Sequence, residues 1–469
     1  MCKVEGSPAM LSKDIIKQFE SAVGAVNCST DEAVLYTYGF DVSDVTGKPD
    51  IVVRPGTVDE IASCVKICAK HKLPVIPRGA GSGATGGAVA PTGGVMIDMT
   101  RMNKILDLDL ANLQVTVQPG VVVDQLNQFL KPYKFFYPVI PGSDKMATLG
   151  GVVANDASGM RAFKYGTAKD YLLGATFVMA DGSIVPFGCK ALKNVAGLDL
   201  LRLFAGSEGT LGIMAEFRLK ILPLPPSRGI LVAYFEDLET AGKAVINTYQ
   251  AGIVPSAIEI MDKSALEVVR KYKPQTGVKI AEAMLLFELE GNQDFVRSQI
   301  KQLCDVLDAL GAKDHEFSAD PKEAEKLWSA RSSVGAATSV FKDGYSRIYE
   351  GEDICVPLTE MPKTLRKLRE LREKYRLGTL IFGHISIGSV HPAITIRKSE
   401  DKDWKAMKEL AAEIHAWALS VGGTVTGEHG IGVARKEYMD VMYPQAYGIM
   451  KKIKHALDPD NIMNPGKIF

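Results

Sequence analysis

Residues 77–87 read Pro-Arg-Gly-Ala-Gly-Ser-Gly-Ala-Thr-Gly-Gly, and this stretch decides how the first half of the chain folds. Gly81–Gly86 match Gly-x-Gly-x-x-Gly, a pattern found in dinucleotide-binding Rossmann folds. That fold requires a helix directly after the loop, but here the chain runs on into Pro91 and the pair Gly93-Gly94. We therefore set the Rossmann interpretation aside. We expect successive backbone N–H groups of the loop to bind phosphate oxygens. A mobile surface loop is the alternative, and the apolar strand predicted at 74–77 disfavours it.

The residues around this loop predict an α/β domain. Thr57, with Glu60 three residues later, is typical of a helix N-terminus with a capping box. We expect a helix over 57–73 between strands at 50–54 and 74–77. Apolar alternation and turn residues further predict strands at 94–99, 113–118, 175–180, 184–187 and 213–219 and a helix at 121–130.

The proline-rich stretch Pro223–Pro226 marks the predicted boundary between two domains. We expect an α+β protein with a two-subdomain α/β domain over 1–225 and an α+β domain with an antiparallel sheet over 226–445. A C-terminal segment, 446–469, should return to the first domain. Beyond the boundary, the pattern predicts helices at 238–251, 295–310 and 359–374 and strands at 230–234 and 284–289.

The composition excludes several classes of function. Among 469 residues, Lys+Arg and Asp+Glu both total 55, which argues against nucleic-acid or membrane-surface binding through bulk charge. No uncharged apolar stretch is long enough to span a membrane, and Met1–Glu20 lacks the apolar core of a secretory signal, so we expect a cytoplasmic protein. The cysteines are odd in number and form no CxxC pair, which disfavours a disulfide framework, a zinc ribbon and an iron–sulfur centre. They are Cys2, Cys28, Cys64, Cys68, Cys189, Cys304 and Cys355.

Glycine-rich motifs follow one another along the chain in a specific order. They are Pro77–Gly83, Pro141–Ser143, Gly150–Asn155, Ser158-Gly159, Tyr165-Gly166 and Gly206–Ile213. Together they resemble the FAD domain of the vanillyl-alcohol-oxidase-type (PCMH-type) flavoproteins. Within that group the chain is most similar to the branch of the glycolate oxidase FAD subunit and D-lactate dehydrogenase, and the resemblance covers nearly the whole chain.

The resemblance implies that the first domain binds FAD and that the second forms a cap over the flavin. Residues 78–87 contain no His or Cys, so FAD at that loop should be non-covalent. The residues implied in cofactor binding are Pro77, Arg78, Gly79, Ala80, Gly81, Ser82, Gly83, Thr85, Gly86, Gly87, Pro141, Gly142, Ser143, Thr148, Gly150, Gly151, Ala154, Asn155, Ser158, Gly159, Tyr165, Gly166, Glu208, Gly209, Gly212 and Ile213.

Two segments near the C-terminus, each bordered by glycines, contain a second group of candidate functional residues. His384 and His391 are seven residues apart, and Glu428 directly precedes His429. Two histidines and a carboxylate form a plausible triad for a divalent metal, whereas lone core histidines are the alternative. The resemblance implies that His384, His391 and Glu428 bind zinc, iron or manganese and that His429 is the catalytic base. It also implies that Arg331 grips the substrate carboxylate, with a surface salt bridge as an equal alternative.

The first histidine segment departs from the family pattern Gly-His-x-Gly-Asp-Gly-Asn-x-His. Here Ser386 replaces the second Gly, Ile387 the Asp and Ser389 the Asn. The change at 387 removes a carboxylate that could orient a ligand histidine. We therefore also consider a metal-free site in which His384 and His391 donate hydrogen bonds.

The leading hypothesis is FAD-dependent oxidation of a small D-2-hydroxy acid, D-lactate or glycolate, by hydride transfer to flavin N5. The chain carries no second cofactor motif, so an electron-accepting partner is expected, either an iron–sulfur subunit or an electron-transferring flavoprotein. One alternative is a non-redox transferase of the alkyl-glycerone-phosphate synthase type, because His429–Gly432 matches a stretch found there. A non-catalytic FAD scaffold is the other.

Overall fold

The computed structural model describes residues 11–469; Cys2 and the first ten residues of the predicted charged N-terminus lie outside them. The described chain divides into two compact units. Unit 1 contains the described residues up to Ser158, then Thr167–Leu224 and Glu428–Phe469, and unit 2 contains Gly159–Gly166 and Pro225–Gly427. This division differs from the predicted one, which ended the second domain at residue 445. Across the residues described, no helix has the length and apolar character needed to cross a membrane.

A mainly parallel sheet forms the first part of unit 1. Its strands are β1 (Cys28–Ser29), β2 (Ile51–Val53), β3 (Val75–Arg78) and β4 (Val95–Asp98). They lie in the order β1-β2-β4-β3, with β4 parallel to both β2 and β3 and β1 antiparallel to β2.

The predicted helix between β2 and β3 is confirmed at Val58–His71. Thr57 caps it, accepting the backbone N–H of Glu60 at 3.1 Å. Its buried face includes Cys64 and Cys68, and both are free thiols. Burial raises the pKa of the Cys64 thiol to about 12, so this side chain packs as a small apolar group.

An antiparallel sheet forms the second part of unit 1. Its strands and a small adjoining ladder are β5 (Ile105–Asp109), β6 (Gln114–Val117), β7 (Phe135–Phe136), β8 (Leu172–Val178), β9 (Ile184–Gly188), β10 (Ile213–Lys220) and β11 (Leu222–Pro223). The order is β5-β6-β10-β8-β9, and β7 pairs with β11. The helices of unit 1 include Lys13–Val23, Glu32–Thr37, Val58–His71, Val123–Leu130, Leu149–Ala154, Leu200–Phe204, Met439–Met442 and Ala446–Leu457.

The C-terminal segment of unit 1 runs along β3. The backbone N–H of Val75 donates to the carbonyl of Ile462 at 2.7 Å, and that of Asn464 donates to the carbonyl of Val75 at 2.8 Å. Because β3 leads directly into the glycine loop, the last residues of the chain pack beside the strand that positions this loop.

Unit 2 is built on an antiparallel sheet, as predicted. Its strands are β12 (Ser227–Phe235), β13 (Ala257–Asp262), β14 (Ala283–Gly291), β15 (Asp314–Ser318), β16 (Ser346–Ile348), β17 (Ile354–Cys355), β18 (Gly378–Gly383) and β19 (Ser389–Ile396). The order is β15-β12-β14-β13-β18-β19-β16, and β17 pairs with β19. The helices include Ala162–Tyr165, Leu238–Gln250, Lys263–Tyr272, Gln293–Ala309, Pro321–Ser332, Val334–Ala337, Met361–Tyr375 and Asp401–Ser420.

Both faces of this sheet are covered by apolar side chains. In β14, Leu285 and Phe287 belong to one core cluster, while Met284 and Leu286 belong to the cluster on the opposite face. Side chains of a strand alternate between its faces, so nearly every position of the central strands is buried. A charged residue in these strands therefore needs a partner inside the protein.

Candidate functional site

Gly79, in the first loop, makes a close approach that leaves no room for a side chain. A Cβ at Gly79 would lie 2.1 Å from the Oγ1 of Thr148. In contrast, a Cβ at Gly83 or Gly142 would meet no atom of the described chain within 4 Å. The loop thus packs against Thr148 on one side and presents bare backbone to open space on the other, as a surface for close approach of a ligand requires.

Arg78 holds the first loop in place from within. Its buried guanidinium donates to the carbonyls of Ala88 and Phe40, both at 2.9 Å, and lies 5.5 Å from the ring centroid of Tyr38. Burial lowers the pKa of this arginine. A Cβ at Gly81 would lie 2.3 Å from the same guanidinium. The side chain of Arg78 is therefore engaged with the protein, and the loop offers a phosphate its backbone N–H groups.

Two buried hydroxyl groups lie in or beside the later glycine motifs. Thr148 directly precedes the helix Leu149–Ala154, and Ser207 lies in the motif Gly206–Ile213. The Oγ1 of Thr148 and the Oγ of Ser207 are buried and find no hydrogen-bond partner among the described residues. Buried hydroxyls normally have a hydrogen-bond partner, so these two indicate that a ligand supplies the missing partners. Sequence reasoning missed Ser207.

Glu208 contacts the backbone of its own unit. It adopts a left-handed φ of 52° and accepts the backbone N–H of Ile431 at 2.7 Å and of Gly432 at 2.8 Å. Burial raises the pKa of this carboxyl group. The predicted cofactor role of Glu208 thus requires a qualification, because its carboxylate is occupied by the turn that follows His429.

The C-terminal segment makes hydrogen bonds at the end of the first loop. The amide nitrogen of Asn464 donates to the carbonyls of Gly87 at 3.0 Å and Glu208 at 2.7 Å. The ammonium group of Lys467 donates to the carbonyl of Val89 at 2.7 Å. These bonds satisfy the carbonyls of Gly87, at the end of the loop, and of Glu208 and Val89.

His429 lies in unit 1, next to the glycine loop. The hydroxyl of Thr85 donates to its carbonyl oxygen at 3.3 Å. Its Nε2 lies 3.7 Å from a carboxylate oxygen of Glu428. The backbone of the candidate base is thus bonded to Thr85 of the first loop, and the turn that follows it is bonded to Glu208 of the motif Gly206–Ile213.

His384 and His391 lie in unit 2: His384 directly follows β18, and His391 lies in β19. Phe382 pairs directly with His391 in the sheet, and the rings of His384 and His391 meet edge to face with centroids 5.1 Å apart. The Nδ1 of His384 lies 2.8 and 3.0 Å from the two carboxylate oxygens of Glu259. Glu259 thus contacts the ring of a predicted ligand histidine, whereas the family's carboxylate is missing at 387.

Arg331 is buried, with 5% of its surface exposed, so the alternative of a surface salt bridge is wrong. Its Nη2 lies 2.6 Å from Glu259, and its guanidinium carbon lies 5.2 Å from the ring centroid of Phe382. Sequence reasoning missed Glu259. A charged residue between Ile258 and Ile260 in an apolar strand was the signal that could have found it.

The departures from the family pattern place two more hydroxyls in unit 2. The Oγ atoms of Ser386 and Ser389 are buried and lack hydrogen-bond partners within the described chain. The thiol of Cys355 donates to the carbonyl of Ile387 at 3.1 Å. The segment is therefore held by its backbone, and its serine hydroxyls remain available to a ligand.

Part of the predicted cofactor site, Gly159, Tyr165 and Gly166, lies in unit 2. Arg161 makes a two-pronged bond to Glu288, with nitrogen–oxygen distances of 2.6 and 2.9 Å. The hydroxyl of Tyr165 donates to Glu290. This short segment is thus anchored to β14 by charged and polar bonds that the sequence analysis did not anticipate.

Two family models match the chain. One describes the FAD binding domain and matches residues 49–188; the other describes the C-terminal domain of FAD linked oxidases and matches residues 224–468. The chain belongs to the FAD-linked oxidases. The predicted family is thus confirmed, and this FAD-linked oxidase is an oxidoreductase with an FAD-binding domain.

Curated relatives of this FAD-linked oxidase match along nearly its full length. The glycolate oxidase subunit GlcD of Bacillus subtilis (strain 168) is 34% identical, over 98% of this chain and 97% of the relative. The mitochondrial D-lactate dehydrogenase [cytochrome] of Arabidopsis thaliana is 30% identical, over 99% of this chain and 82% of the relative.

Solved structures confirm the predicted fold. The 4-ethylphenol oxidase from Gulosibacter chungangensis superimposes with a TM-score of 0.79 at 18% identity, covering 97% of this chain and 96% of that one. An alkyldihydroxyacetonephosphate synthase gives a TM-score of 0.77 at 18% identity, covering 99% and 87%.

Proposed function

We propose that this FAD-linked oxidase converts a small D-2-hydroxy acid, D-lactate or glycolate, to the 2-oxo acid. The observation that carries the proposal is full-length similarity to a glycolate oxidase subunit and a D-lactate dehydrogenase. We further propose that unit 1 is the FAD-binding domain and unit 2 the substrate domain. Bound FAD would supply the hydride acceptor, flavin N5.

Unit 1 supports FAD binding through its bare backbone and buried hydroxyls. The first loop would hold the pyrophosphate with its N–H groups, since Gly83 faces open space and Arg78 is engaged elsewhere. The hydroxyls of Thr148 and Ser207 would supply hydrogen bonds to the cofactor. No His or Cys occurs at 78–87, so attachment at this loop is non-covalent.

Arg331, oriented by Glu259, would bind the substrate carboxylate. His429 would take the hydroxyl proton as the hydride leaves Cα. Removal of the proton and the hydride together accounts for the two-electron oxidation of an alcohol to a ketone. Electrons would then pass to an iron–sulfur subunit or an electron-transferring flavoprotein.

A divalent metal fits a donor set of two imidazoles and a carboxylate; His384 and His391 of unit 2 would provide the imidazoles, and Glu428 is the carboxylate that the family resemblance implies. The Nδ1 of His384 is engaged with Glu259, so its Nε2 is the nitrogen that would bind the ion. A metal bound there would polarise the hydroxyl and carboxylate groups of the substrate.

The test is anaerobic addition of D-lactate or glycolate to the purified holoenzyme, with L-lactate as the stereochemical control. We expect the visible flavin absorption bands to bleach with the first two acids. The variant His429→Ala should bind FAD but bleach far more slowly, whereas His455→Ala, which changes an exposed histidine, should match the wild type. Absence of bleaching with every D-2-hydroxy acid would overturn the proposal.

A second candidate is a non-redox transferase, favoured by the stretch His429–Gly432, which matches one found in the alkyl-glycerone-phosphate synthases. A transferase of this type exchanges groups without net oxidation. Replacement of the acyloxy group of an acyl-glycerone phosphate by the alkoxy group of an added long-chain alcohol, with release of the fatty acid and no flavin reduction by any hydroxy acid, would support it. A flavin-binding protein inactive in both assays would instead be a scaffold.

A further inference from the structure

Glu259 is a charged residue at a position where the fold otherwise places apolar side chains. It lies in β13 and is fully buried. Its neighbours Ile258 and Ile260 belong to the core cluster on one face of the sheet, so Glu259 points to the other face. A buried carboxylate is costly unless it is paired and hydrogen-bonded, so its partners reveal what it does.

The carboxylate of Glu259 joins two residues to which the proposed function gives separate roles. Its Oε1 lies 2.8 Å and its Oε2 3.0 Å from the Nδ1 of His384. Its Oε2 also lies 2.6 Å from the Nη2 of Arg331. The guanidinium compensates the carboxylate charge, and the imidazole supplies a further donor.

This contact determines the chemistry of the histidine ring. An ionised carboxylate only accepts hydrogen bonds, so the Nδ1 of His384 must carry the proton that Glu259 binds. In a neutral ring the lone pair then resides on Nε2. A carboxylate behind a ligand histidine fixes both the tautomer and the orientation of the ring.

Arg331 retains donor capacity after pairing with Glu259. Its Nε is buried and has no hydrogen-bond partner within the described residues. The guanidinium is also held over the ring of Phe382, 5.2 Å from the centroid. A buried, unsatisfied donor on a fixed arginine calls for an acceptor from outside the chain, and a carboxylate supplies one.

We propose that Glu259 is a positioning residue that sets His384 in the Nδ1–H tautomer and at the same time aims Arg331 at the substrate carboxylate. This inference rests on the proposed function for the roles of His384 and Arg331. It assigns to β13 the orienting carboxylate that Ile387 cannot provide. One side chain thus aligns the metal-binding and the carboxylate-binding groups.

Long-range ¹H–¹⁵N spectra of histidine-labelled holoenzyme test the tautomer directly, with His384→Asn used only to assign the ring. We expect wild-type His384 to carry its proton on Nδ1 alone. A proton on Nε2 alone, or on both nitrogens, would overturn the inference. This measurement requires neither activity nor metal and is made on the wild-type fold.

The isosteric variant Glu259→Gln tests the consequences. We expect the affinity of the metal-stripped holoenzyme for Zn²⁺, measured by competition with a chromophoric chelator, to fall about 10- to 100-fold. The KM for the hydroxy acid should rise at least tenfold. The amide NH₂ group of the glutamine would face the guanidinium of Arg331, and both groups only donate hydrogen bonds. Unchanged Zn²⁺ affinity and unchanged KM would contradict the inference.

Asp262→Asn is the matched control. Asp262 lies in the same strand, is buried, and pairs with Arg372 at 2.7 Å. Its replacement removes a comparable ion pair but leaves the contact between Glu259 and His384 in place. Equal losses of Zn²⁺ affinity in both variants would show a purely structural effect. If no hydroxy acid bleaches the flavin, the proposed function fails, while the tautomer and Zn²⁺ measurements still decide the inference.

Discussion

The carboxylate of Glu208 accepts the backbone N–H of Ile431 at 2.7 Å, although the two residues are 223 positions apart. Its other oxygen accepts the N–H of Gly432 at 2.8 Å. This bond pair fastens the motif Gly206–Ile213 to the turn directly after His429. The position of the candidate base therefore depends on a side chain of that motif.

The first prediction concerns Glu208→Gln. A glutamine oxygen can accept one N–H, but its NH₂ group faces the other donor, so one buried N–H loses its partner. We expect the free energy of unfolding to fall by about 1–3 kcal/mol, measured by denaturant titration. Flavin reduction by substrate should slow as well, because the turn carrying His429 loosens. Wild-type stability together with wild-type reduction rates would contradict this role.

The second prediction concerns the open side of the first loop. In Gly83→Ala the new methyl group meets no atom of the described chain within 4 Å, so the apoprotein should keep its stability. The same methyl group would enter the space proposed for the pyrophosphate. We expect FAD affinity, measured by fluorescence titration, to fall at least tenfold.

Gly448→Ala is the control for this prediction. It also adds a methyl group in open space, but within the helix Ala446–Leu457. It should stabilise the protein by roughly 0.5–1 kcal/mol and leave FAD affinity unchanged. Equal FAD affinity of Gly83→Ala and the wild type would place the pyrophosphate elsewhere.

The third prediction is a pH dependence centred on Lys467. Burial lowers the pKa of this lysine from 10.5 to about 8, against the opposing charges of Glu208 and Asp41. Between these values the unfolded chain binds more protons than the folded one, so stability rises with pH across this window. Between pH 8 and 10.5, the free energy of unfolding of the wild type should rise by roughly 3 kcal/mol relative to that of Lys467→Met. Denaturant titration at each pH measures this difference. If the stability of the two proteins changes with pH in the same way, the pKa of Lys467 is not lowered by burial.

Signals from neighbouring residues were enough to predict the first helix between strands and the glycine motifs of unit 1. The helix after Thr57 and the glycine motifs were recognisable because capping and close backbone approach depend on neighbouring residues. The pattern of small residues also located the loop that follows β3. What it did not reveal is that the side chain of Arg78 is engaged with backbone carbonyls, because Phe40 lies 38 residues away.

Long-range charge pairs account for what the sequence analysis missed in unit 2. Glu259 meets His384 across 125 residues, and Arg161 meets Glu288 across 127. Each acidic residue stands among apolar neighbours in a strand, which signals a buried charge but not its partner. The partners follow only from the strand order of the sheet. The segment 159–166 was therefore placed with the first domain from its motif alone, whereas its ion pair holds it to β14.

The final prediction concerns this anchoring of the segment 159–166. Removal of one partner from a buried ion pair is usually worth 3–5 kcal/mol, because the remaining charge is uncompensated. Here the Nε of Arg228 also lies 3.0 Å from Glu288, so Arg228 still compensates part of the carboxylate charge when Arg161 is replaced. We expect Arg161→Met to lower the free energy of unfolding by about 2 kcal/mol. The double variant Arg161→Met/Glu288→Gln should recover part of this loss, since it leaves no unpaired carboxylate.

Lys263→Met is the control for the Arg161→Met and double variants. Lys263 pairs with Glu282 at 2.8 Å, but both side chains are about half exposed, at 51% and 52%. Exposed pairs contribute about 0–1 kcal/mol, so its loss should fall within that range. If Arg161→Met costs no more than Lys263→Met, the segment is held by its backbone and by the contact of Tyr165 with Glu290 instead. A large loss that the double variant does not relieve would point to Arg161 itself, which lies 5.3 Å from the ring centroid of Trp328, as a packing element rather than a charge partner.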